Sequence, residues 1–132
     1  MVSEKIDKTA GEFVEMKKVY VCSPLSSDDP EKMISNGERA LMYCRFVYDQ
    51  GCNPFAPHTY YPLFLDEECK KERAAGLKMA MEWMWAFQEL WVFGETISDG
   101  MREEIEMAKL LSIKVKYFYE DMEEIKIERR YI

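Results

Sequence analysis

The chain has 132 residues, 48% of them hydrophobic, and a formal net charge of -7 at pH 7. This length suits one domain with a real core, and the hydrophobic share excludes a disordered chain. The acidic balance argues against a nucleic-acid groove or an anionic membrane surface as partner, because both need clustered Lys and Arg. The start is polar and no stretch approaches the ~20 apolar residues of a membrane span, so we expect a cytoplasmic protein.

Cysteine and histidine usage predicts neither a metal centre nor a cofactor. Cys22, Cys44, Cys52 and Cys69 have no C-x-x-C spacing, and His58 is the only histidine. Zinc sites take several such ligands at close spacing. Because the start does not resemble a secretion signal, we expect reduced thiols rather than two disulfides.

The first part of the chain alternates apolar strands with helical patterns. Residues 1–17 mix charges and form a lead-in segment. A strand rich in Val and Tyr is predicted from Lys18 to Leu25, followed by the turn and helix cap Ser26 to Pro30. Apolar or small residues recur at helical spacing from Glu31 to Gln50, and a short strand is predicted from Cys52 to Pro57.

The next segment is unusually apolar for a loop and a surface helix. Prolines and aromatic rings crowd residues His58 to Leu65, which suits either a stiff wall over a ligand or packing on the body of the protein or another subunit. A long helix is predicted from Asp66 to Phe87. Its part from Met79 to Trp85 is apolar on more than one face, which predicts a homo-oligomer contact, with plain core filling as the alternative.

The last part of the chain reads as strand, loop, helix and strand. Leu90 to Phe93 and Ile113 to Phe118 are the strands, and the helix starts near Gly100. Residues 119–132 form either an edge strand or a loose tail. The pattern predicts one doubly wound α/β domain at 18–118 with four or five mainly parallel strands, ordered 2-1-3-4 with any fifth at an edge.

One acidic residue of the last helix is predicted to face the sheet. At ~100° per residue, Met101, Ile105 and Ala108 form a stripe that includes Glu104, with Ser112 at its end, whereas Glu103 and Glu106 point away. The plain interpretation is a marginal carboxylate near the helix start, where the dipole favours an anion. The alternative is a nucleophile, because open α/β sheets bind ligands at the carboxyl ends of their strands.

The segment Ser98-Asp99-Gly100-Met101-Arg102-Glu103-Glu104 resembles the S-x-G-x-x-x-E signature of the nucleoside 2-deoxyribosyltransferase-like superfamily. That group includes the 2'-deoxynucleoside 5'-phosphate N-hydrolases. The segments Val19 to Leu25 and Asn53 to His58 are similar to its first and second ligand loops. The resemblance spans about residues 18 to 118 and implies a flavodoxin-like fold that acts on a nucleoside or its 5'-monophosphate.

The resemblance also implies roles for individual residues. Glu104 takes the position of the nucleophile, and Ser98 that of a serine that binds a 5'-phosphate. Ser26 and its neighbours form either an anion cradle or an ordinary helix cap. The residues predicted to bind substrate are Ser23, Pro24, Ser26, Ser27, His58, Tyr60, Tyr61, Ser98, Asp99, Gly100 and Arg102.

The chain departs from the family pattern at the expected acid. Family members place an acid near the end of the helix before the third strand, but Met81 stands there, with Glu82 as the only adjacent substitute. Two functions therefore stay open: N-glycosidic cleavage or transfer with Glu104 and Glu82 as catalytic residues, or a nucleotide-binding or sensing module without catalysis. A scaffold that uses the Met- and Trp-rich helix is a third, less favoured reading.

Overall fold

A single five-stranded sheet forms the centre of the protein, whose computed structural model describes residues 15–25 and 27–126. The strands are β1 (Lys18–Cys22), β2 (Asn53–Phe55), β3 (Glu89–Phe93), β4 (Lys114–Phe118) and β5 (Glu124–Ile125). The α-helices of the described residues are α1 (Pro30–Asp49), α2 (Lys70–Glu82) and α3 (Asp99–Leu110). Short 3₁₀ turns cover Pro57–Thr59, Tyr61–Leu63 and Met84–Ala86.

The strand order is β2-β1-β3-β4-β5, which confirms the predicted doubly wound α/β fold. Strand β1 pairs in parallel with β2 and β3, and β3 pairs in parallel with β4. Strand β5 is antiparallel to β4 at the edge. Strands β1 and β3 are neighbours, but the helix that follows β1 packs on one face of the sheet and the helix that follows β3 packs on the other. This switch point opens a crevice at the carboxyl ends of the two strands.

The alternation of side chains along β1 and β3 divides the core into two layers. Val19 and Val21 pack with Tyr43 and Val47 of α1 on one face of the sheet. On the other face, Tyr20 and Cys22 pack in a cluster that includes Ala80 of α2 and Met101, Ile105 and Ala108 of α3. The side chains of Tyr20 and Cys22 therefore point toward the helix that carries Glu104.

The helix predicted from Asp66 to Phe87 is shorter in the structure. It begins at Lys70, because Asp66 to Cys69 form a turn in which Asp66 Oδ1 accepts from the Glu68 amide. It ends at Glu82, and a separate 3₁₀ turn follows from Met84 to Ala86. Trp83 and Trp85 are 56% and 71% exposed, so one subunit does not bury them.

Smaller differences concern the ends of elements. Strands β1 and β2 stop at Cys22 and Phe55, earlier than predicted, so the residues after them belong to the loops. Helix α3 ends at Leu110, and Ser112 adopts a positive φ of 60° in the turn that follows. The apolar stripe of α3 therefore stops at Ala108 and does not reach Ser112. Most of the lead-in segment and residues 127–132 lie outside the described residues.

Candidate active site

Helix α3 carries Glu104 into the interior of the protein. Its N-cap is Ser98, whose Oγ accepts a hydrogen bond from the Met101 amide at 3.2 Å. This start sets the phase of the helix, so that its buried residues are Met101, Glu104, Ile105 and Ala108. The side chain of Glu104 is only 7% exposed, and the predicted inward orientation is confirmed.

Both carboxylate oxygens of Glu104 accept hydrogen bonds from β1. The Tyr20 hydroxyl donates to Oε2 at 2.5 Å, and the Cys22 thiol donates to Oε1 at 3.3 Å. Burial, and then the charge of Glu104, raise the pKa of the Tyr20 hydroxyl and of the Cys22 thiol well above their ordinary values. Both groups therefore remain protonated and act as donors.

The pKa of Glu104 is raised to about 7. Burial is the main cause, and the charge of Glu103 adds to it, while the hydrogen bonds from Tyr20 and Cys22 act in the opposite direction. Near neutral pH the carboxyl group thus exchanges between its protonated and ionised forms. Perturbed titration of a buried acid in a cleft is typical of functional sites.

Glu104 lines a cleft of about 540 Å³ at the carboxyl edge of the sheet. Its walls come from the end of β1, the 3₁₀ turns after β2, helix α2 and the first turn of α3. The volume lies within the range of small-molecule sites. At Gly100 a Cβ atom would make only ordinary contact with Leu77 Cδ2, at 3.9 Å, so neither packing nor a positive φ of the fold requires glycine there.

Ser23 and His58 form a second polar pair in the same cleft. Ser23 Oγ and His58 Nε2 are 2.6 Å apart and share a hydrogen bond across the ends of two neighbouring strands. Burial lowers the pKa of His58 to about 4, so the imidazole is neutral at physiological pH. The pair can donate and accept hydrogen bonds without adding charge.

The structure brings most of the predicted site residues together. Those that line the cleft are Ser23, His58, Tyr61, Ser98, Asp99, Gly100 and Glu104. Pro24 lies on a separate cavity of about 40 Å³ next to α1. Ser26 lies outside the described residues.

Four other predicted site residues do not line the cleft. Ser27 Oγ accepts from the Asp29 amide at 3.1 Å, and Asp29 caps α1, so the plain helix-cap reading describes this loop. Arg102 is exposed and pairs with Asp99 at 3.1 Å. Tyr60 is exposed beside Tyr61. Glu82 is exposed at the last position of α2, because the buried face of that helix is formed by Gly76 and Ala80.

Several charged residues of the cleft were not among the predicted site residues. Glu67, Lys70 and Arg73 line it from the start of α2 and the turn before it, and Glu103 from α3. A signal existed, because Lys70, Arg73, Leu77 and Ala80 recur at helical spacing and share one face. The first half of the predicted helix is charged, so the sequence did not indicate that this face lines a cleft.

The described residues contain no group of three or more His, Cys, Asp or Glu side chains that could hold a metal ion. All four cysteines are unpaired, as predicted. Among the helices of residues 15–25 and 27–126, none is long and apolar enough to span a membrane.

Fold and cleft define a doubly wound α/β domain with a buried carboxylate at the carboxyl edge of its sheet. Residues 17–118 match the family described as a domain of unknown function, DUF7768, and the chain belongs to this family. No curated protein matches the sequence.

Among solved structures, the 2-deoxyribosyltransferase from the psychrotolerant bacterium Bacillus psychrosaccharolyticus is similar in fold. The TM-score is 0.55 at 20% identity, over 83% of this chain and 77% of that chain. This similarity shows a distant relationship of fold.

Proposed function

We propose that the protein cleaves or transfers the N-glycosidic bond of a nucleoside or its 5'-monophosphate, with Glu104 as the nucleophile. The observation that carries this proposal is the buried Glu104 carboxylate, held by Tyr20 and Cys22 in a cleft at the carboxyl edge of the sheet. The fold similarity to a 2-deoxyribosyltransferase supports it. The resemblance of Ser98, Gly100 and Glu104 to the S-x-G-x-x-x-E signature supports it as well.

The proposed reaction follows the logic of a retaining glycosidase. An oxygen of the Glu104 carboxylate bonds to the anomeric carbon, and the bond to the base nitrogen breaks with its electron pair going to the base. The resulting glycosyl ester is then resolved by water, which gives hydrolysis, or by a second base, which gives transfer. Tyr20 donates to the oxygen Oε2 and orients the carboxylate for the attack.

Substrate contacts are proposed for the cleft residues that have polar groups. Ser23 and the neutral His58 suit hydroxyl groups of a sugar or the edge of a base, and Tyr61 offers a ring beside them. The first turn of α3, with Ser98 at the cap and no side chain at Gly100, suits a phosphate or hydroxyl group that approaches backbone amides.

The nucleophile must be ionised, which predicts a pH dependence. Because burial raises the pKa of Glu104 to about 7, the rate should increase as pH rises through this value. A plot of kcat/KM against pH should show an ascending limb near pH 7. A flat profile from pH 5 to 8 would contradict the assignment.

A non-catalytic nucleotide-binding or sensing module is the second candidate. The specific observation in its favour is the exposure of Glu82 outside the cleft lining, which gives this residue no route to a leaving base. If no other group assists the departing base, binding without cleavage is the expected result.

The experiment that separates the two candidates is incubation with a panel of nucleosides and 5'-monophosphates, followed by chromatography for free base. We expect release by the wild type and none by Glu104→Gln, which keeps the shape but removes the charge. The matched control is Glu106→Gln, an exposed residue of the same helix that does not line the cleft. Binding without release by the wild type favours the second candidate, and equal release by Glu104→Gln refutes the nucleophile.

The proposal includes a homo-oligomer. Trp83 and Trp85 are large, exposed and adjacent to Met84 at the end of α2, so a second copy of the chain would cover apolar area that one subunit leaves open. Light scattering at micromolar concentration tests this assembly, and a monomer would remove it from the proposal.

A further inference from the structure

The two hydrogen bonds to Glu104 differ strongly in kind. The Tyr20 hydroxyl is a strong donor and lies 2.5 Å from Oε2, whereas the Cys22 thiol is a weak donor and lies 3.3 Å from Oε1. Tyr20 and Cys22 are both fully buried on β1, so neither bond competes with bulk water. Oε1 therefore retains more electron density than Oε2. It also gives up the weaker of the two hydrogen bonds when it bonds covalently to the sugar.

The thiol also has an alternative acceptor. Cys22 Sγ lies 3.9 Å from the carbonyl oxygen of Met101, one turn before Glu104 on α3. Rotation about the Cα–Cβ bond or the Cβ–Sγ bond changes the direction of S–H without moving the backbone. The thiol can therefore leave Oε1 without becoming a buried donor that lacks a partner.

We propose that Cys22 is a positioning residue, whose thiol holds Glu104 Oε1 as the attacking oxygen and turns to the Met101 carbonyl when that oxygen forms its bond. The inference rests on the proposed function in so far as it names the attacking atom. The contact between thiol and carboxylate is measurable in the protein alone, without a substrate.

Other charged and titratable groups near Glu104 also bear on its titration. Glu103 on α3 is the charged neighbour that raises the pKa of Glu104, and Tyr20 lowers it from β1. The remaining titratable groups that line the cleft are His58, Tyr61, Glu67, Lys70, Arg73 and Asp99. Only Cys22 and Tyr20 donate to the carboxylate within the described residues.

The first test is infrared spectroscopy of the S–H stretch, which lies in a region free of other protein bands. A hydrogen bond to a carboxylate lowers the S–H frequency. The Cys22 band, assigned by its loss in Cys22→Ser, should move to higher frequency when Glu104 is protonated below pH 7 and in Glu104→Gln. The matched control is Cys52, a buried thiol in the core cluster on the opposite face of the sheet, whose band should not respond.

The second test is a series of donors at position 22. The pKa of Glu104, measured by NMR with ¹³C-labelled glutamate, should be highest in Cys22→Ala, intermediate in wild type and lowest in Cys22→Ser, because the donor strength increases in that order. Each step should be roughly half a unit to one unit, the size expected for one modest hydrogen bond. If Cys22→Ala does not fold, the comparison of Cys22→Ser with wild type and the infrared arm still decide the question.

The values of kcat and KM distinguish a positioning role of Cys22 from a purely structural one. Cys22→Ala should lower kcat about tenfold with KM nearly unchanged, and Cys22→Ser should recover part of the loss. An S–H band that ignores both pH and Glu104→Gln would overturn the proposal, even if the protein releases base. A band that follows Glu104 supports the positioning contact, and the absence of base release would then count against the proposed reaction alone.

Discussion

Replacing Glu104 by glutamine should stabilise the protein at high pH. Burial raises the pKa of this carboxyl group from 4.5 to about 7 in the folded protein, so the native state binds the proton more tightly than the unfolded chain. The free energy of unfolding contributed by the protonated group is fully present below pH 4.5 and is lost as pH rises through about 7. At about 1.4 kcal/mol per unit of difference in pKa, the loss is slightly more than about 3 kcal/mol by pH 8.

Urea unfolding at several pH values measures this effect. Glu104→Gln carries no titrating group at this position, so it should exceed wild type by up to about 3 kcal/mol at pH 8, and the gain should shrink toward zero by pH 4. Glu106→Gln, on the exposed side of the same helix, should show no comparable trend. A gain that is absent at pH 8, or equal at all pH values, would refute the account of Glu104 as a buried carboxylate held at a cost in stability.

Three further predictions concern other parts of the chain. Tyr20→Phe removes a donor to Glu104, so the ascending limb of kcat/KM should move up by roughly one to two pH units, and an unchanged limb would contradict this. Burial alone would raise the pKa of Glu89, but hydrogen bonds from Trp91 and Lys17 lower it below its ordinary value. The ionised carboxylate therefore stabilises the fold above the unfolded pKa, and this contribution is lost as pH falls through the folded pKa. Glu89→Gln should cost about 1 to 3 kcal/mol in urea unfolding at neutral pH and nothing in strong acid. Replacing the exposed tryptophans near the end of α2 by serine should give monomers in light scattering, whereas an unchanged oligomer would place the contact elsewhere.

The orientation of Glu104 could be predicted because, once one residue near the start of a helix is known to face the core, the helical period determines which later residues share that face. Ser98 caps α3 and Met101 begins its buried face, so spacing alone aimed Glu104 at the sheet. The parallel sheet could be predicted because each apolar run is separated from the next by a helical pattern, which is a local feature of the sequence. The strand order 2-1-3-4 was predicted from the doubly wound fold class, and the structure confirms it.

The partners of Glu104 depend on residues distant in sequence and could not be predicted in the same way. Tyr20 and Cys22 are 84 and 82 positions away, and they meet Glu104 only because β1 lies beside β3 and under α3. Lys70 and Arg73 were missed because the charged first half of the predicted helix did not suggest a cleft wall. Glu82 was predicted from its position in the family pattern, while the packing of Gly76 and Ala80 turns it to solvent.

As the proposed nucleophile, Glu104 forms a covalent bond to the anomeric carbon of the sugar, and this bond can be trapped. A nucleoside substrate analogue with fluorine at C2' should slow hydrolysis of the glycosyl ester, so that the intermediate survives acid quenching and peptide digestion. Mass spectrometry should then find the added sugar on the peptide that contains Glu104, localised to Glu104 rather than Glu103 by fragmentation, and no added mass in Glu104→Gln. Release of base with the sugar attached to another residue, or with no attachment to Glu104 under any trapping condition, would contradict the account.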